Sequence, residues 1–374
     1  MVTNQTQLKH ETPPTGSIFI APDWEGYRGS NRSPDSVTAT RGTTIQALGT
    51  SNRRVTRREV ARHAGVSDAV VTYTLNGTAP VAPETAARVR ESIRTLGYVP
   101  NASARSLRTG SSELIGVIVP DASNLFISDL CRSVEKAARV AGYDVLIMNS
   151  DGDSDRVQEL ARQLASRQVD GILLALVVDK QHVALLNTLG MPWAVLNPTE
   201  HVPGARGVGV HLADAARLAT QHLLWHGYRR IGFVGPTHDL RFTGWSECLR
   251  EAALEPGPVM QCGFTREDGY RAGAALATRH AELDAVFISS DMIANAALRG
   301  VHEHGLSVPD DLAIVSFDGS VEAEYSWPPL TTVKQPVDEL AAQALDHLLG
   351  IHSAGEATPA PLRGELVIRA SCGC

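Results

Sequence analysis

The sequence predicts two kinds of fold in one chain, an all-α helix-turn-helix headpiece and an α/β core of two doubly wound parallel-sheet subdomains. Residues 53–99 carry apolar positions at helical spacing, interrupted by glycines, which is typical of short helices joined by tight turns. Residues 111–374 alternate short, unbroken apolar runs with helix-like segments, the pattern of a parallel sheet covered by helices on both faces. A chain of 374 residues also exceeds what one hydrophobic core usually supports.

Residues 1–52 are rich in Thr, Ser, Pro, Gly and Asn and show no sustained periodicity. We expect a disordered N-terminal extension, because such a composition cannot bury enough apolar surface to fold. The stretch GSIFIAPDWEGY at 16–27 is interpreted as part of this tail, with a docking motif for a partner as the alternative. A start codon assigned too early would also account for the extension.

The stretch VTRREVARHAGVSDAVVTYTLNG, which begins at Val55, predicts two short helices joined by a tight turn. Gly65 falls where a turn residue can take a positive φ without a Cβ clash, and Ser67 can cap the second helix. Ala61 is small, as a steep crossing of two helices requires. A purely structural αα-corner would show the same pattern, so DNA binding stays open on these residues alone. The apolar positions at helical spacing are Val60, Ala61, Ala64, Val71 and Leu75.

A third helix is predicted from Pro83, with proline in its first turn and Gly97 as its C-cap. Residues 100–110 form a separate short segment in which Asn101 can cap a helix that is too short to be stable alone. We interpret this segment as a hinge. The apolar stripe of the third helix is Ala86, Val89, Ile93 and Leu96.

These motifs together resemble the N-terminal headpiece of the LacI/GalR family of bacterial transcription regulators. The resemblance rests on VTRREVARHAGVS, on LNG at 75–77 and on YVPNASARSLRTG, and it runs without a gap from Val55 to Gly110. From Leu114 onward the chain is similar to that family's effector-binding core, which is built like a periplasmic binding protein. The resemblance implies a DNA-binding repressor controlled by a small molecule, which we expect to be a sugar.

The resemblance also implies which residues contact DNA. Asp68, Ala69 and Tyr73 occupy the positions of the second helix that face the major groove, where Tyr73 departs from the Arg common in the family. In the hinge, Leu107 is expected to wedge open a base step in the minor groove, although a side chain of an ordinary linker is the alternative. The full predicted set is Thr56, Arg57, Arg58, Ser67, Asp68, Ala69, Thr72, Tyr73, Asn76, Asn101, Arg105, Leu107 and Arg108.

Eight apolar runs predict the strands of the core. One sheet is expected from the runs at 114–120, 144–150, 171–178 and 192–197, and a second from those at 230–236, 258–264, 285–291 and 312–320. Ligands in such folds bind beyond the carboxyl ends of strands, so the cleft between the subdomains is the expected site. By resemblance the first subdomain covers 111–212 with a return at 333–353, and the second covers 213–332 with the terminal strand ELVIRAS.

Candidate effector-binding residues end strands or open the next helix. Carboxylates and an arginine suit the hydroxyls of a polyol, because charge-assisted hydrogen bonds orient them, and an aromatic ring can cover an apolar sugar face. Each residue singly could instead be a helix cap or a surface ion pair. Ser290 and His211 depart from the Asn and Asp that many family members carry there, which bears on the ligand that fits. The predicted set is Phe126, Asn197, Arg241, Asp291, Asp318 and Trp327.

Charge is divided unevenly along the chain. Residues 53–110 hold ten Arg or Lys against four Asp or Glu, whereas residues 111–374 hold 20 against 33. This suits a small DNA-binding unit on an acidic body, although an ordinary protein with uneven surface charge would show it too.

The five cysteines are an odd, scattered set, which argues against a disulfide framework and for a reducing compartment. Cys372 and Cys374 could bind metal, but the second ligand pair that a zinc site needs is lacking, so we expect free thiols on a frayed end and no metal or other cofactor. The chain has neither an 18-residue apolar run nor a signal-peptide pattern, so we expect a cytoplasmic protein without a membrane partner. Histidines on predicted helices are expected on solvated faces; they are His63, His222, His226, His302 and His304.

An enzyme is the first rival class. The run RIGFVGP does not make a GxGxxG turn, no GxxxxGK[ST] loop occurs, Ser289 and Ser290 lack a nucleophile elbow, and HEH at 302–304 is not HExxH. A solute-binding receptor shares the core fold but would need a signal peptide and no headpiece, and a sensor without operator-specific activity is the further alternative. We expect a homodimer, because one helix-turn-helix covers only half of a near-palindromic operator.

Overall fold

The computed structural model describes residues 55–100, 106, 110–350 and 360–374. The chain divides between Tyr98 and Val99 into two compact units. The extension 1–52 and four predicted hinge residues, Asn101, Arg105, Leu107 and Arg108, lie outside the described residues. In the described part, no helix has the length and apolar character needed to cross a bilayer.

The described part of the first unit consists of three helices, α1 (Arg57–Ala64), α2 (Asp68–Asn76) and α3 (Pro83–Leu96). Gly65 ends α1 in the left-handed conformation, with φ 64°, and the Ser67 hydroxyl caps α2 by accepting from the Val70 amide. Thr56 and Glu59 form a capping box at the start of α1. The predicted turn at Gly65 and the predicted cap at Ser67 are thereby confirmed, and the capping box at the start of α1 is an addition that was not predicted.

The core of this unit is small and closes around Ala61. Arg88 on α3 donates from Nε to the Ala64 carbonyl at 2.9 Å, which satisfies an orphan acceptor at the end of α1. Leu75 does not join the core as expected; it is 37% exposed, because the α2 face that turns inward carries Val71. The buried members of this core are Val60, Ala61, Ala64, Val71 and Val89.

The second unit begins with a five-stranded sheet whose pairings are all parallel, in the order β2-β1-β3-β4-β5. Its strands are β1 (Leu114–Val119), β2 (Asp144–Asn149), β3 (Gly171–Leu174), β4 (Trp193–Leu196) and β5 (Gly207–Val208). The helices between them are α4 (Leu125–Val140), α5 (Ser154–Ser166) and α6 (Lys180–Leu189). Separate apolar clusters fill the two faces of this sheet, which gives the doubly wound arrangement that unbroken apolar strands predict.

A second sheet of six strands follows, in the order β11-β10-β9-β8-β6-β7. Its strands are β6 (Ile231–Val234), β7 (Val259–Met260), β8 (Ala285–Ile288), β9 (Ala313–Asp318), β10 (Thr331–Lys334) and β11 (Glu365–Val367). The accompanying helices are α7 (Leu212–Trp225), α8 (Leu240–Glu251), α9 (Arg266–Thr278), α10 (Asp291–Glu303) and α11 (Val321–Tyr325). Only β11 runs antiparallel, beside β10. The α/β fold class is confirmed.

The chain returns to the first sheet after β10, because α12 (Val337–Gly350) packs its apolar face onto that sheet. Leu340, Ala344 and Leu348 belong to the same buried cluster as β1 and α4. Strand β10 itself stays in the second sheet, so the crossing falls after Lys334. The terminal segment ELVIRAS contributes β11 to the second sheet.

Candidate functional site

The predicted DNA contacts of α1 and α2 share the surface of the first unit. Thr56, Arg57, Arg58, Ser67, Ala69 and Asn76 are exposed, Tyr73 is 39% exposed, and Asp68 and Thr72 are half-buried. The Thr72 hydroxyl donates to the Asp68 carbonyl at 3.0 Å, so its hydrogen is already used within the helix. The other side chains form a polar surface that includes the first two turns of α2.

Arg57 and Asp68 form a two-fold hydrogen-bonded ion pair on this surface. Arg57 Nε donates to Asp68 Oδ1 at 2.8 Å and Nη2 donates to Oδ2 at 2.6 Å. These hydrogen bonds, followed by the charge of Arg57, hold the pKa of Asp68 below its usual value. The pair joins the first residue of α1 to the first residue of α2 and fixes the direction of the guanidinium.

In the second unit, the carboxyl ends of strands from both sheets enclose a cavity of about 170 Å³. Residues that end or follow β1, β3 and β4 line one side, and residues that end or follow β6, β7, β8, β9 and β10 line the other. Of the predicted effector residues, the cavity brings together Phe126, Asn197, Arg241 and Asp318. A wider cavity of about 450 Å³ shares Phe126, Asp318 and Gln335 with it and is otherwise lined by residues of α4, of the start of α12 and of the ends of β9 and β10.

Among the described residues that line the smaller cavity, Arg241 is the only cation, and it is 4% exposed. Its Nε and Nη2 donate to the two carboxylate oxygens of Asp239 at 2.9 and 2.6 Å, and Nη1 donates to the Ser289 carbonyl at 2.6 Å. The guanidinium also lies over the rings of Phe264 and Phe317, at 5.1 and 5.0 Å from their centroids. Burial acts to lower the pKa of Arg241, but the charge and hydrogen bonds of Asp239 raise it overall, so the side chain is a fixed cation.

Asp318 lies opposite this cation, with Oδ1 4.0 Å from Arg241 Nη1. Gln335 Nε2 donates to the same oxygen at 2.9 Å, and Asn197 Nδ2 donates to Gln335 Oε1 at 2.9 Å. Burial, and next the charge of Asp291, raise the pKa of Asp318 to about 8 against the opposing effect of Arg241. Because Asp239 already neutralises the single arginine, an ionised Asp318 is a surplus buried charge.

After Asp318, the Ser290 hydroxyl is a second group on the cavity wall whose polar interactions are incompletely satisfied. It is buried beside Asp318 and has no well-formed hydrogen bond within the described part of the chain. A buried hydroxyl whose hydrogen bond is poorly formed is costly, so a ligand hydroxyl that reached it would relieve that cost. Asp318 and Ser290 are therefore the groups whose cost of burial a polar ligand would offset most.

Asp291 and Trp327 do not line either of these cavities. Asp291 is fully buried, and its carboxylate accepts four hydrogen bonds, from the hydroxyls of Ser316, Thr332 and Ser320 and from the Ser320 amide. It joins the start of α10 to β9, β10 and the loop after β9, so it supports the floor of the site. Trp327 is 83% exposed in the loop after α11.

Sequence reasoning missed Asp239 and Gln335. Asp239 is the N-cap of α8, and the pattern of a capping aspartate two residues before Arg241 was the available signal. Gln335 follows β10, a strand that no apolar run marked, so nothing in the sequence placed it at the end of a strand.

The cysteines at 372 and 374 do not lie on a frayed end, contrary to expectation. Residues 370–372 form a short 3₁₀ helix in which the Ser371 hydroxyl donates to the Ile314 carbonyl at 2.6 Å, and Cys372 is fully buried. Both cysteines are free thiols, as expected. His222 is also buried, at 9% exposure, because it lies on the α7 face that these residues cover.

Comparisons with known proteins agree with both units. The model of bacterial regulatory proteins of the lacI family matches residues 56–101, and that of the periplasmic binding protein-like domain matches residues 220–372. The catabolite control protein A of Priestia megaterium is 33% identical over 300 residues, covering 78% of this chain and 90% of that protein.

Two solved structures share the architecture. The lac repressor dimer bound to operator and the anti-inducer ONPF is 24% identical, with a TM-score of 0.77 over 86% of this chain and 99% of the other. At that identity the likeness is one of fold. The complex of the transcriptional regulator CelR with cellobiose is 29% identical, with a TM-score of 0.63 over 85% of this chain and all of the other, 100%.

Proposed function

Because the chain belongs to the lacI family of bacterial regulatory proteins, we propose that it is a homodimeric repressor whose cleft binds a small carbohydrate. The chain is a DNA-binding transcriptional regulator controlled by an effector, and it is not an enzyme. Dimerisation is proposed because one α1-α2 pair covers only half of a near-palindromic operator. We place the protein in the cytoplasm, where its DNA target lies.

The observation that supports a carbohydrate is the buried Arg241–Asp318 pair beside Phe126 and Phe264 in a cavity of about 170 Å³. Charged groups orient hydroxyls and rings cover the apolar face of a sugar. The cavity is smaller than the about 300–1,000 Å³ of most drug-sized sites, which favours a ligand of monosaccharide size. A thermal-shift screen of monosaccharides, disaccharides and nucleobases tests this choice, and a response confined to nucleobases would contradict it.

Under this proposal, some of the predicted effector residues contact the ligand and others do not. Arg241, Asp318, Asn197 and Phe126 contact the ligand, with Gln335 and Ser290 beside them. Asp291 acts through Ser320 and the strand ends that it holds, because its own oxygens are occupied. Trp327 would reach a ligand only if its loop moved, since it is 83% exposed.

The α1-α2 surface is proposed to read the operator. Tyr73 offers one hydroxyl and a ring to a base, whereas an arginine can hold guanine through two hydrogen bonds. We predict that Tyr73→Arg shifts the half-site preference toward G in a selection from randomised DNA. Thr78→Arg, which adds the same charge beyond the end of α2, is the control and should leave the preference unchanged. An unchanged preference in Tyr73→Arg would remove Tyr73 from the reading surface.

Arg58 is proposed to contact a phosphate, as are Thr56, Arg57 and Asn76, because these residues position the headpiece without reading sequence. Arg58→Ala should weaken binding to all sequences alike and reduce the slope of log affinity against log salt by about 1. Arg90→Ala on α3 removes an exposed arginine outside the predicted contacts and should leave the slope intact. Loss of affinity at the operator alone, with an unchanged slope, would instead make Arg58 a base contact.

The hinge assignment stays a proposal from resemblance. Asn101 would cap the segment, Leu107 would wedge a central base step, and Arg105 and Arg108 would hold the flanking phosphates. Leu107→Ala, measured for DNA bending in a circular-permutation gel assay, distinguishes this from a plain linker.

A further inference from the structure

Four side chains with metal-binding atoms meet beside the end of α7. His222 and His226 come from that helix, and Cys372 and Cys374 come from a segment about 150 positions later in the chain. The ring nitrogens and sulfurs lie within 4.8 Å of one another. No sequence pattern joins the two pairs, because each is separated from the other by the whole second sheet.

The histidine pair is arranged by the helix. Residues four apart lie on one helical face, so both imidazoles point to the same side of α7. Their ring centroids are 4.8 Å apart and the rings are nearly perpendicular, at 88°. His222 lies in the last turn of α7, and His226 is its C-cap. Two nitrogens are thereby presented at the edge of the buried core.

The cysteine pair is arranged by a tight turn at Gly373. This residue has φ 93°, a conformation that favours glycine, and a Cβ at this position would lie 2.8 Å from the Tyr228 hydroxyl. The turn brings Cys374 back so that its Sγ lies 3.0 Å from His226 Nε2 and 3.8 Å from His222 Nε2. Glycine is thus the residue that allows both thiols to face the histidines.

Neighbouring groups hold the inner cysteine in place. The Tyr228 hydroxyl donates to the Cys372 carbonyl at 3.2 Å, and the Thr331 hydroxyl oxygen lies 3.1 Å from Cys372 Sγ. Such neighbouring groups fix the position of a ligand before the ion binds. Cys372 is fully buried and Cys374 is exposed, so the cluster has a fixed inner side and an outer side open to entry of an ion.

We propose that His222, His226, Cys372 and Cys374 form a tetrahedral site for Zn²⁺. Two sulfurs and two nitrogens are a ligand set that zinc prefers, and four protein ligands leave no open position, which marks a structural site. With usual Zn–S and Zn–N bonds, the edges of such a tetrahedron are about 3.3–3.8 Å. The observed span of up to 4.8 Å requires a small inward movement of the ligand atoms on binding.

The charge of the loaded site favours its partly buried position. Binding converts two thiols to thiolates and releases two protons, and the two negative charges balance the ion. No net charge is then placed against the core, so the burial penalty of an isolated ion is avoided. The ion would fasten the end of α7 to the segment that covers β10, and zinc should therefore stabilise the fold independently of sugar and DNA.

The test uses full-length protein purified with a chelator, kept reduced and loaded with ZnSO₄ or CoCl₂. We expect one zinc ion per chain by elemental analysis, a rise in Tm of roughly 5 °C at zinc well above Kd, and the visible bands of tetrahedral sulfur-ligated cobalt. Cys374→Ser and His226→Ala should each lower zinc affinity by more than the about 10- to 100-fold cost of losing an outer-shell partner. Both residues lie at the surface side of the cluster, so these variants should fold.

Matched controls are Cys262→Ser and His302→Ala, which remove a thiol and an imidazole outside the cluster and should bind zinc as the unaltered protein does. Retention of zinc by Cys374→Ser and His226→Ala with unaltered affinity would overturn the proposal. So would a cobalt spectrum of octahedral, oxygen-ligated type, or protein that takes up no stoichiometric zinc while its thiols are shown to be reduced. None of these outcomes depends on operator or sugar binding.

Discussion

Asp318→Asn is expected to lose the ligand response while making the unliganded protein more stable at neutral and alkaline pH. Amide and carboxyl groups have nearly the same shape, so Gln335 can still donate to the remaining oxygen. Asparagine cannot ionise, so the charge-assisted contact that an ionised Asp318 makes to a ligand hydroxyl at pH 8 and above is lost, which should cost roughly 1.5 to 3 kcal/mol, at least tenfold in ligand affinity at that pH. Calorimetry with the sugar found by screening measures that loss.

The gain in stability follows from the raised pKa of Asp318. In the folded state this pKa is about 8, whereas an unfolded aspartate titrates near 3.9. Between these values the folded protein holds one more proton than the unfolded chain, so the free energy of unfolding falls as pH rises, by up to about 1.4 kcal/mol per pH unit. Asparagine cannot titrate and removes this slope.

Urea unfolding at several pH values from 5 to 9 tests the slope directly. The curve for Asp318→Asn should be flatter than that of the unaltered protein and should lie above it by more than about 1 kcal/mol at pH 8. Asp346→Asn, a change of an exposed carboxylate on α12, should follow the unaltered protein. Parallel curves for Asp318→Asn and the unaltered protein would mean that Asp318 is ionised and stabilised in the fold.

Arg241→Met is expected to lose both ligand binding and stability. The flexible thioether can fill the space between Phe264 and Phe317, but Asp239 loses the cation that neutralises its charge. Removing one partner of a buried ion pair typically costs about 3–5 kcal/mol, because the other charge stays buried and unpaired. A fall in Tm of roughly 10 °C is expected at neutral pH.

The double variant Arg241→Met/Asp239→Asn separates the two losses. An asparagine at 239 keeps an oxygen for the Arg241 backbone amide that Asp239 caps at 2.8 Å, but it carries no charge. We expect most of the stability to return while ligand affinity stays lost. Recovery of ligand binding in this variant would show that the arginine acts only by neutralising Asp239.

The sequence predicted those parts of the fold whose signals are local. Gly65, Ser67 and Ala61 each act within one turn or one crossing, so the helix-turn-helix followed from them directly. Strand β10 was missed because its TTVK segment looks half polar, although Thr331 and Thr332 are fully buried and use their hydroxyls on Arg369 and Asp291. From the sequence alone, a buried polar residue whose partner lies across the sheet cannot be distinguished from a surface residue.

The candidate site was predictable only in part for the same reason. Arg241 and Asp318 could be named because they begin a helix and end a strand. Which carboxylate neutralises Arg241 could not be predicted. Only the structure shows that Asp239 pairs with Arg241 and that Asp318 is left as the surplus carboxyl group. The distant pairing of His222 and His226 with Cys372 and Cys374 likewise depends on how the second sheet brings α7 beside residues 370–374.

The central claim is that a ligand in the cleft controls DNA binding by the α1-α2 surface. The most direct measurement is the anisotropy of labelled operator, titrated with the unaltered protein and with Asp318→Asn, with and without saturating sugar. We predict that the sugar changes the operator Kd of the unaltered protein by about 5- to 150-fold, and that Asp318→Asn binds the operator with the affinity of the sugar-free protein under both conditions. An operator Kd that the sugar leaves unchanged in the unaltered protein, or that it changes equally in Asp318→Asn, would contradict the claim.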